Sequence, residues 1–287
     1  MKYYSAIFCI FFLVIAIHTA GAAEYVEKNY SKKTEDRSFS YKISNYFKPD
    51  KNWTEVNSTE KFRVWVKTDE VAQNKKVFST AIFKINPKIG NNYFSDGKTV
   101  VIYPIFTDTA YSEKGFYDYY NKKCDSKCLE IKIQNNFMPQ ANPNTIQILN
   151  ELGYAIITDV DVDKNPEILK NYEKVILLHN EYVTKNEFDA ITKHPNVIYL
   201  FPNALYGKID SDYSKNTIKL VRGHGYPDNK ISNGFDWQFD NTKFEKNTEC
   251  KNMKFFKVDN GWMLNCYPQN KVGKSLQVLK AIKLLNN

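Results

Sequence analysis

Two hydrophobic periodicities alternate along most of the chain. Short apolar runs bounded by polar turns predict buried strands, and apolar residues spaced three or four apart predict the helices between them. The predicted strands are 99–106, 129–133, 154–157, 175–178 and 197–201, and the predicted helices are 144–152, 184–192 and a tyrosine-rich one within 111–124. Gly153 ends the first of these helices, and Thr184 with Glu187 forms a capping box at the start of the second. This alternation predicts a three-layer α/β domain with a mostly parallel sheet.

Two further regions flank this core. Residues 62–66 and 77–85 alternate like strands, so residues 24–97 are predicted to form an N-terminal arm with an antiparallel β accessory region. Residues 255–264 predict a β-hairpin that turns at Asn260-Gly261, and residues 275–285 predict a closing amphipathic helix. The α/β domain, including hairpin and helix, is predicted to span 98–287.

The first 23 residues have the pattern of a secretory signal peptide. Lys2 precedes an apolar run at 6–17, and small residues lead to a cleavage site near Ala22 or Ala23. An uncleaved anchor is the alternative, but the run is short for a membrane span. No later segment is long and apolar enough to span a bilayer, so the predicted location is secreted or cell-surface.

Cysteine usage agrees with export. Cys9 leaves with the signal peptide, and four cysteines remain in the mature chain, which predicts two disulfides. Proximity along the sequence favours Cys124–Cys128 and Cys250–Cys266, one of three connectivities. Zinc ligation is the alternative, and the spacing of these cysteines is not typical of it.

The charge balance bears on the class of partner. The net charge is +8, from 40 Lys and Arg against 32 Asp and Glu, yet arginine occurs only at Arg37, Arg63 and Arg222. Nucleic-acid readers usually cluster arginine, so scattered lysines predict a solvated surface and no nucleic-acid partner. The predicted partner is a small molecule or a component of the cell surface.

A site candidate lies where the strand 175–178 ends. His179 and Glu181 are two positions apart and therefore share a side of the chain. Ligands of open α/β sheets bind beyond the carboxyl ends of strands, where a carboxylate and an imidazole can hold a metal or share a proton. The alternative is structural: Glu181 caps a helix or pairs with lysine, and His179 hydrogen-bonds in the core.

Two other polar segments are candidates with structural alternatives. Arg222 precedes His224, which two glycines flank, so this segment predicts substrate binding by Arg222 and His224; a glycine-shaped turn is the alternative. Asp159, Asp161 and Asp163 alternate with valine and suggest a calcium site, but they lack the glycine and glutamate of an EF-hand loop. The structural interpretation is favoured for the aspartates.

The order of these motifs resembles a known family. Thr107 to Tyr111, Gly115-Phe116-Tyr117, Thr158 to Asp161, Asn165 to Leu169 and His179-Asn180-Glu181-Tyr182 together resemble the core of the large subunit of N,N-dimethylformamidase. That core is similar to the class I glutamine-amidotransferase-like, flavodoxin-like fold, and the resemblance covers about 98–205. It implies an iron ion, or another transition metal, held by tyrosines and a glutamate beside a histidine.

The resemblance assigns roles to particular residues. Tyr111 and Glu181 correspond to metal ligands, and His179 and Glu181 to catalytic residues. The second tyrosine is not placed; Tyr119 is a guess for it and is otherwise assigned to substrate binding. The implied function is a metal-assisted hydrolase of small amides or related C–N bonds. The alternative is a catalytically silent, secreted binding module whose tyrosine-rich face recognises a partner or glycan.

Overall fold

A computed structural model describes residues 54–55, 62–70, 77–85, 93–134, 142–240 and 242–286. All of them belong to one compact unit, Phe39–Asn287. The predicted signal peptide and most of the predicted arm lie outside these residues. Among the helices that the structure describes, none has both the length and the apolar character needed to cross a membrane.

Thirteen strands and six α-helices are formed by the described residues. The strands are β1 (Thr54–Glu55), β2 (Phe62–Glu70), β3 (Val77–Ile85), β4 (Thr99–Tyr103), β5 (Glu130–Lys132), β6 (Ala155–Thr158), β7 (Lys174–Leu177), β8 (Tyr182–Val183), β9 (Val197–Tyr199), β10 (Gly207–Asp212), β11 (Thr217–Arg222), β12 (Phe255–Val258) and β13 (Gly261–Leu264). The helices are α1 (Ile105–Ala110), α2 (Phe116–Tyr120), α3 (Pro143–Glu151), α4 (Asp159–Lys164), α5 (Lys185–Lys193) and α6 (Leu276–Leu284).

The largest sheet has six strands in the order β12-β13-β9-β7-β4-β6. Five of them run parallel, and β12 is an antiparallel edge strand. The residues of β4, β7 and β9 are all buried, as expected for parallel strands with both faces covered. The mostly parallel α/β sheet predicted from the sequence is therefore confirmed.

Apolar clusters lie on both faces of this sheet. Alternate residues of each strand go to opposite clusters: Val101 packs with α3 and α6, whereas Val100 packs with Val162 of α4 and Ile191 of α5. Successive side chains of a strand point to opposite faces of the sheet. Because these strands are apolar on both faces, both faces must be covered by other elements.

A second sheet, absent from the sequence prediction, lies beside the first. It has the order β5-β11-β10-β8, and β8 pairs with β10 in parallel while the other pairs are antiparallel. The predicted strand 99–106 is also too long, because the chain turns into α1 after Tyr103. Pro104 lacks the N–H that a continuing strand needs and suits the start of a helix.

The predicted C-terminal hairpin and the two predicted disulfides are confirmed. Strands β12 and β13 pair across the Asn260 turn, and Cys250–Cys266 closes the segment around them. Cys124–Cys128 is the other disulfide, so neither pair is free for zinc. Strand β13 also pairs with β9, and a side chain at Gly261 would place its Cβ 1.8 Å from the carbonyl oxygen of Val197.

The N-terminal accessory strands also pair as predicted. Strands β1, β2 and β3 form an antiparallel sheet in which β2 pairs with β3 along its whole length. The domain boundary at residue 98 stays a prediction.

Candidate functional site

His179 and Glu181 lie where the chain leaves the main sheet for the second sheet. Strand β7 ends at Leu177, the chain passes through residues 178–181, and β8 then pairs with β10. The side chains of His179 and Glu181 are fully buried. The carboxyl end of a central parallel strand therefore presents both residues to the interior between two sheets.

The backbone around Glu181 is held on both sides. The hydroxyl oxygen of Thr107, in α1, accepts hydrogen bonds from the N–H groups of Glu181 at 3.0 Å and Tyr182 at 3.1 Å. The carbonyl oxygen of Glu181 accepts from Tyr206 at 2.9 Å and from Gly207 at 2.8 Å. This segment is thus fixed by α1 and by the start of β10, which limits movement of the carboxylate.

Two tyrosine hydroxyls converge on the carboxylate of Glu181. Tyr111 donates to Oε2 at 2.8 Å, and Tyr117 donates to Oε1 at 3.0 Å. The two hydroxyl oxygens are 2.7 Å apart, and the rings stack with centroids 4.0 Å apart. The two hydroxyl oxygens and the two carboxylate oxygens therefore share one small volume.

Glycine at position 115 makes this convergence sterically feasible. Tyr111 follows α1 directly, Tyr117 is in α2, and Gly115 is the N-cap of α2. A Cβ at Gly115 would lie 2.3 Å from the carbonyl oxygen of Ala110, so only glycine allows the two helices to approach this closely.

Tyr117, and not Tyr119, is the second tyrosine at Glu181. The ring of Tyr119 instead packs edge-on against Tyr120 and Tyr226. Two positions along a helix correspond to a rotation of about 200°, so Tyr117 and Tyr119 project from opposite sides of α2. Tyr119 was a guess for a second tyrosine that the resemblance did not place, and the rotation of α2 turns it away from Glu181.

His179 lies against the same carboxylate. Its Nε2 is 3.3 Å from Oε2 of Glu181 and 3.0 Å from the amide nitrogen of Asn203. The imidazole stacks on Phe201, with centroids 4.6 Å apart, and meets Tyr267 edge-on. Aromatic packing thus fixes the plane of the ring and keeps water from its faces.

His224 approaches Glu181 from the solvent side. Its Nδ1 is 3.6 Å from Oε1 of Glu181, and its side chain is 27% exposed. The backbone of His224 is left-handed, with φ 55°, between Gly223 and Gly225 at φ 110° and 78°. Hydrogen bonds from His224 N–H to Ser232 and from Gly225 N–H to residue 231 hold this conformation.

Arg222, also predicted to bind substrate, is engaged elsewhere. Its guanidinium donates to the carbonyl oxygens of Asn233 and Gly234 and to the carboxylate of Asp236 at 2.8 Å. Among the described contacts, none joins Arg222 to Glu181 or His179. The structure therefore brings together Tyr111, His179, Glu181 and His224 of the predicted site residues, and leaves Tyr119 and Arg222 outside the cluster.

Burial and charge act in opposite directions on the cluster. Burial favours a raised pKa for Glu181, but the hydrogen bond and charge of His179, the charge of His224 and the hydrogen bond of Tyr111 outweigh it, so the pKa is lowered. Burial, and then the charge of Glu181, raise the pKa of Tyr111 and Tyr117 well above 10.0. At neutral pH an ionised carboxylate therefore accepts from two neutral phenols.

Sequence reasoning missed two members of this neighbourhood. The hydroxyl of Tyr267 lies 3.5 Å from Nε2 of His179, and the pKa of the half-buried Glu245 is raised by burial and by the charge of Glu181. Both come from the C-terminal part of the chain, and no local pattern marks either residue. A signal for Tyr117 was present in Gly115-Phe116-Tyr117, because a glycine at the start of a helix is compatible with the close approach of α1 and α2 that brings Tyr117 to Tyr111.

The three alternating aspartates have structural roles, in line with the favoured interpretation. Asp161 forms a capping box with Thr158 at the start of α4, and Asp159 accepts the N–H of Phe106 at 2.7 Å. Asp163 accepts hydroxyl hydrogen bonds from Thr184, Ser211 and Tyr213. Within the described ranges, no group of three or more His, Cys, Asp and Glu side chains is placed to hold a metal.

Glu187→Gln is expected to stabilise the protein at neutral and alkaline pH. Burial, and then the charges of Asp159 and Asp163, raise the pKa of Glu187 well above 4.5. A raised carboxyl pKa stabilises the folded state fully below pH 4.5 and progressively less as pH rises towards the folded pKa. Because glutamine does not ionise, the variant should gain about 1 kcal/mol or more at pH 8, since one pKa unit is worth about 1.4 kcal/mol.

Urea denaturation of both proteins between pH 4 and pH 8 measures this difference. The gain should shrink as pH falls and vanish near pH 4.5. Asp189→Asn is the matched control on the same helix, because Asp189 is half-exposed and pairs with Lys185 at the surface. A gain that does not depend on pH would show that the carboxyl of Glu187 is not the cause.

No protein-family model matches this chain, and no curated protein matches it. The geometry of its own residues is therefore what supports a function for it.

Proposed function

We propose that this chain is a metal-assisted hydrolase of small amides or related C–N bonds, with a metal held by Tyr111, Tyr117 and Glu181. One observation carries the proposal: the hydroxyls of two tyrosines meet the two oxygens of one fully buried carboxylate, beside a buried histidine. The donor set is the one that the resemblance to the dimethylformamidase large subunit implies. An iron ion is the favoured metal.

The spacing of the donors fits a metal. The two tyrosine hydroxyl oxygens are 2.7 Å apart. The hydroxyl oxygen of Tyr111 lies 2.8 Å from Oε2 of Glu181, and that of Tyr117 lies 3.0 Å from Oε1. Neighbouring oxygens around an octahedral cation with bonds of about 2.0–2.1 Å lie about 2.9 Å apart. Oxygen-only donors suit hard cations, and tyrosinate is an established ligand of iron. Because both phenols are protonated without a cation, metal binding should release protons and strengthen as pH rises.

When bound, such a metal polarises a carbonyl oxygen or lowers the pKa of a water molecule. The residues of the chain supply orientation and proton transfer around it. Nε2 of His179 lies 3.3 Å from Oε2 of Glu181 and accepts a hydrogen bond from the amide nitrogen of Asn203, and the ring is fixed by Phe201 and Tyr267. His224, on the exposed side, can deliver a proton to the nitrogen of a departing amine.

The proposal extends to fold and location. The helices on both faces of the main sheet support a three-layer, flavodoxin-like arrangement of the amidotransferase type. The two disulfides and the N-terminal apolar segment support cleavage of a signal peptide and a secreted or cell-surface location.

Tyr117→Phe tests the ligand set, and Tyr119→Phe is its matched control on the same helix. Tyr117→Phe should lower the metal content of the purified protein at least tenfold, because one of the three ligands is lost, and any tyrosinate charge-transfer colour should fall in proportion. Tyr119→Phe should keep both. Elemental analysis and visible absorption measure these outcomes, and amine release from formamides and acetamides measures hydrolysis.

A wild-type protein that binds no metal and hydrolyses no amide would contradict the proposal. The silent binding module would then be the remaining alternative. Tyr111 and Tyr117 are hydrogen-bonded to Glu181 and Tyr182 is buried, so a recognition face would have to use Tyr119 and Tyr120, which line a surface groove.

A further inference from the structure

A surface groove of about 760 Å³ adjoins the cluster around Glu181. Tyr119, Tyr120, Lys122 and Lys123 line one wall of it, and Gly225 and Asn229 contribute to the lining from the loop that carries His224. The ring of Tyr120 is shared, because its centroid lies 4.5 Å from that of His224 and 5.9 Å from that of Tyr117. The groove is largely open to solvent, and a ligand in it would lie one aromatic ring, that of Tyr120, away from the proposed reaction centre.

The uncompensated charge of this groove is positive. Lys122 and Lys123 are exposed, and neither takes part in an ion pair among the described residues. Asp125, the acidic residue in the lining, caps the following turn by accepting the N–H of Lys127, and its carboxylate lies 3.9 Å from the ammonium of Lys127. The two ammonium groups are thus available to an anionic ligand.

The backbone presents the two lysines in a fixed position. The carbonyl oxygen of Asp118 accepts from the N–H groups of both Lys123 and Cys124, and the Cys124–Cys128 disulfide closes the turn. Lys122 itself is left-handed, with φ 59°. Together with the hydrogen bond from Lys122 N–H to the carbonyl oxygen of Tyr119, this is a Schellman motif, the usual left-handed ending of a helix, here that of α2. A preformed turn also lowers the entropy lost on binding.

We propose that this groove binds a carboxylate carried by the amine portion of the substrate, so that the substrates are N-acyl amino acids or similar acidic amides. This inference rests on the proposed hydrolase function. The carboxylate would lie between Lys122 and Lys123, and an apolar stem would cross the rings of Tyr119 and Tyr120 towards His224 and Glu181. Water adds to the amide carbonyl carbon, the C–N bond breaks, and the products are a carboxylate and a protonated amine.

Two probes of matched length test the inference: N-formyl-6-aminohexanoate, and its neutral counterpart N-formyl-6-aminohexanol. Titration calorimetry gives the Kd of each, and amine release gives kcat/KM. The acid should bind about tenfold more tightly than the alcohol, because each exposed charge pair contributes up to about fivefold in affinity. The preference should weaken as salt is raised from 20 to 500 mM, since exposed charges are screened.

Variants locate the source of the preference. Lys122→Met with Lys123→Met keeps the apolar stems and should bring the two probes to within about twofold of each other. Lys219→Met removes the same charge from an exposed position on β11 outside the groove and should leave the tenfold preference unchanged.

The outcomes separate the two proposals. A carboxylate preference that disappears in the double variant, with neither probe hydrolysed, would support the groove and contradict the hydrolase. Hydrolysis of both probes with equal Kd would support the hydrolase and overturn the groove. A preference that survives the double variant, or no binding of either probe, would also overturn it.

Discussion

Replacing Glu181 with glutamine should abolish metal retention and amide hydrolysis together. The carboxylate is the one ligand of the proposed set that is ionised before a metal binds, and a neutral amide binds hard cations weakly. We expect the metal content to fall from about one per chain to below about a tenth, because the site loses its charge and one acceptor. Elemental analysis of protein purified under oxidising conditions, with amine release as the activity readout, measures both effects.

The stability of the variant separates a metal ligand from a structural residue. Glu181 is fully buried and accepts from Tyr111 and Tyr117, so even a metal-free variant should lose about 1–3 kcal/mol of unfolding free energy. Glu187→Gln is the matched control, because it makes the same change at an equally buried carboxyl outside the cluster and should keep the metal. If wild-type protein carries no metal and Glu181→Gln alters only stability, Glu181 is structural.

Removing the Cys250–Cys266 disulfide should cost about 3 kcal/mol of unfolding free energy. The two cysteines are 16 positions apart, and a closed loop of that size restricts the unfolded chain by about 3 kcal/mol. The disulfide encloses β12 and β13, and β13 pairs with β9 of the main sheet, so its loss should weaken the sheet and not only a surface hairpin. Urea denaturation of a Cys250→Ala, Cys266→Ala variant measures the change.

The second disulfide provides the comparison. Cys124 and Cys128 are four positions apart, so the same loop argument gives about 2 kcal/mol for a Cys124→Ala, Cys128→Ala variant. A larger loss from the 124–128 pair than from the 250–266 pair would show that loop closure does not dominate. Adding reductant to the wild-type protein should lower the free energy of unfolding by the sum of the two effects. Intact mass can verify that both disulfides are reduced.

The elements predicted best from the sequence are those with strong local signals. Strand β3 and helix α5 agree with prediction to within a residue or two, because apolar and β-branched residues mark the first and the Thr184 cap marks the start of the second. The hairpin β10–β11 was missed, although Ile209, Ile218 and Leu220 are buried in it. Ile209 is the one large apolar residue of β10, and β11 has two on its buried face, so the alternation is too short to mark the strands.

The candidate site was predicted only where its residues have a local sequence signal. His179 and Glu181 are recognisable as polar residues that directly follow a buried strand, and Tyr111 came from the resemblance. Tyr119 was named as a guess in place of Tyr117. Which of the two faces Glu181 depends on the rotation of α2, which only the structure shows. Tyr267 lies 88 positions from His179, and no sequence pattern connects them.

By itself, the sequence determined the local elements, the mostly parallel sheet, the hairpin and the cysteine pairing, since backbone periodicity, capping and loop closure act over a few residues. The tertiary structure alone decided that β13 joins the main sheet, that a second sheet begins at β8, and that Tyr111 and Tyr117 meet Glu181 across 70 and 64 positions of sequence. Such contacts depend on the order of strands and on the approach of helices, which burial of the whole core selects and no local segment encodes.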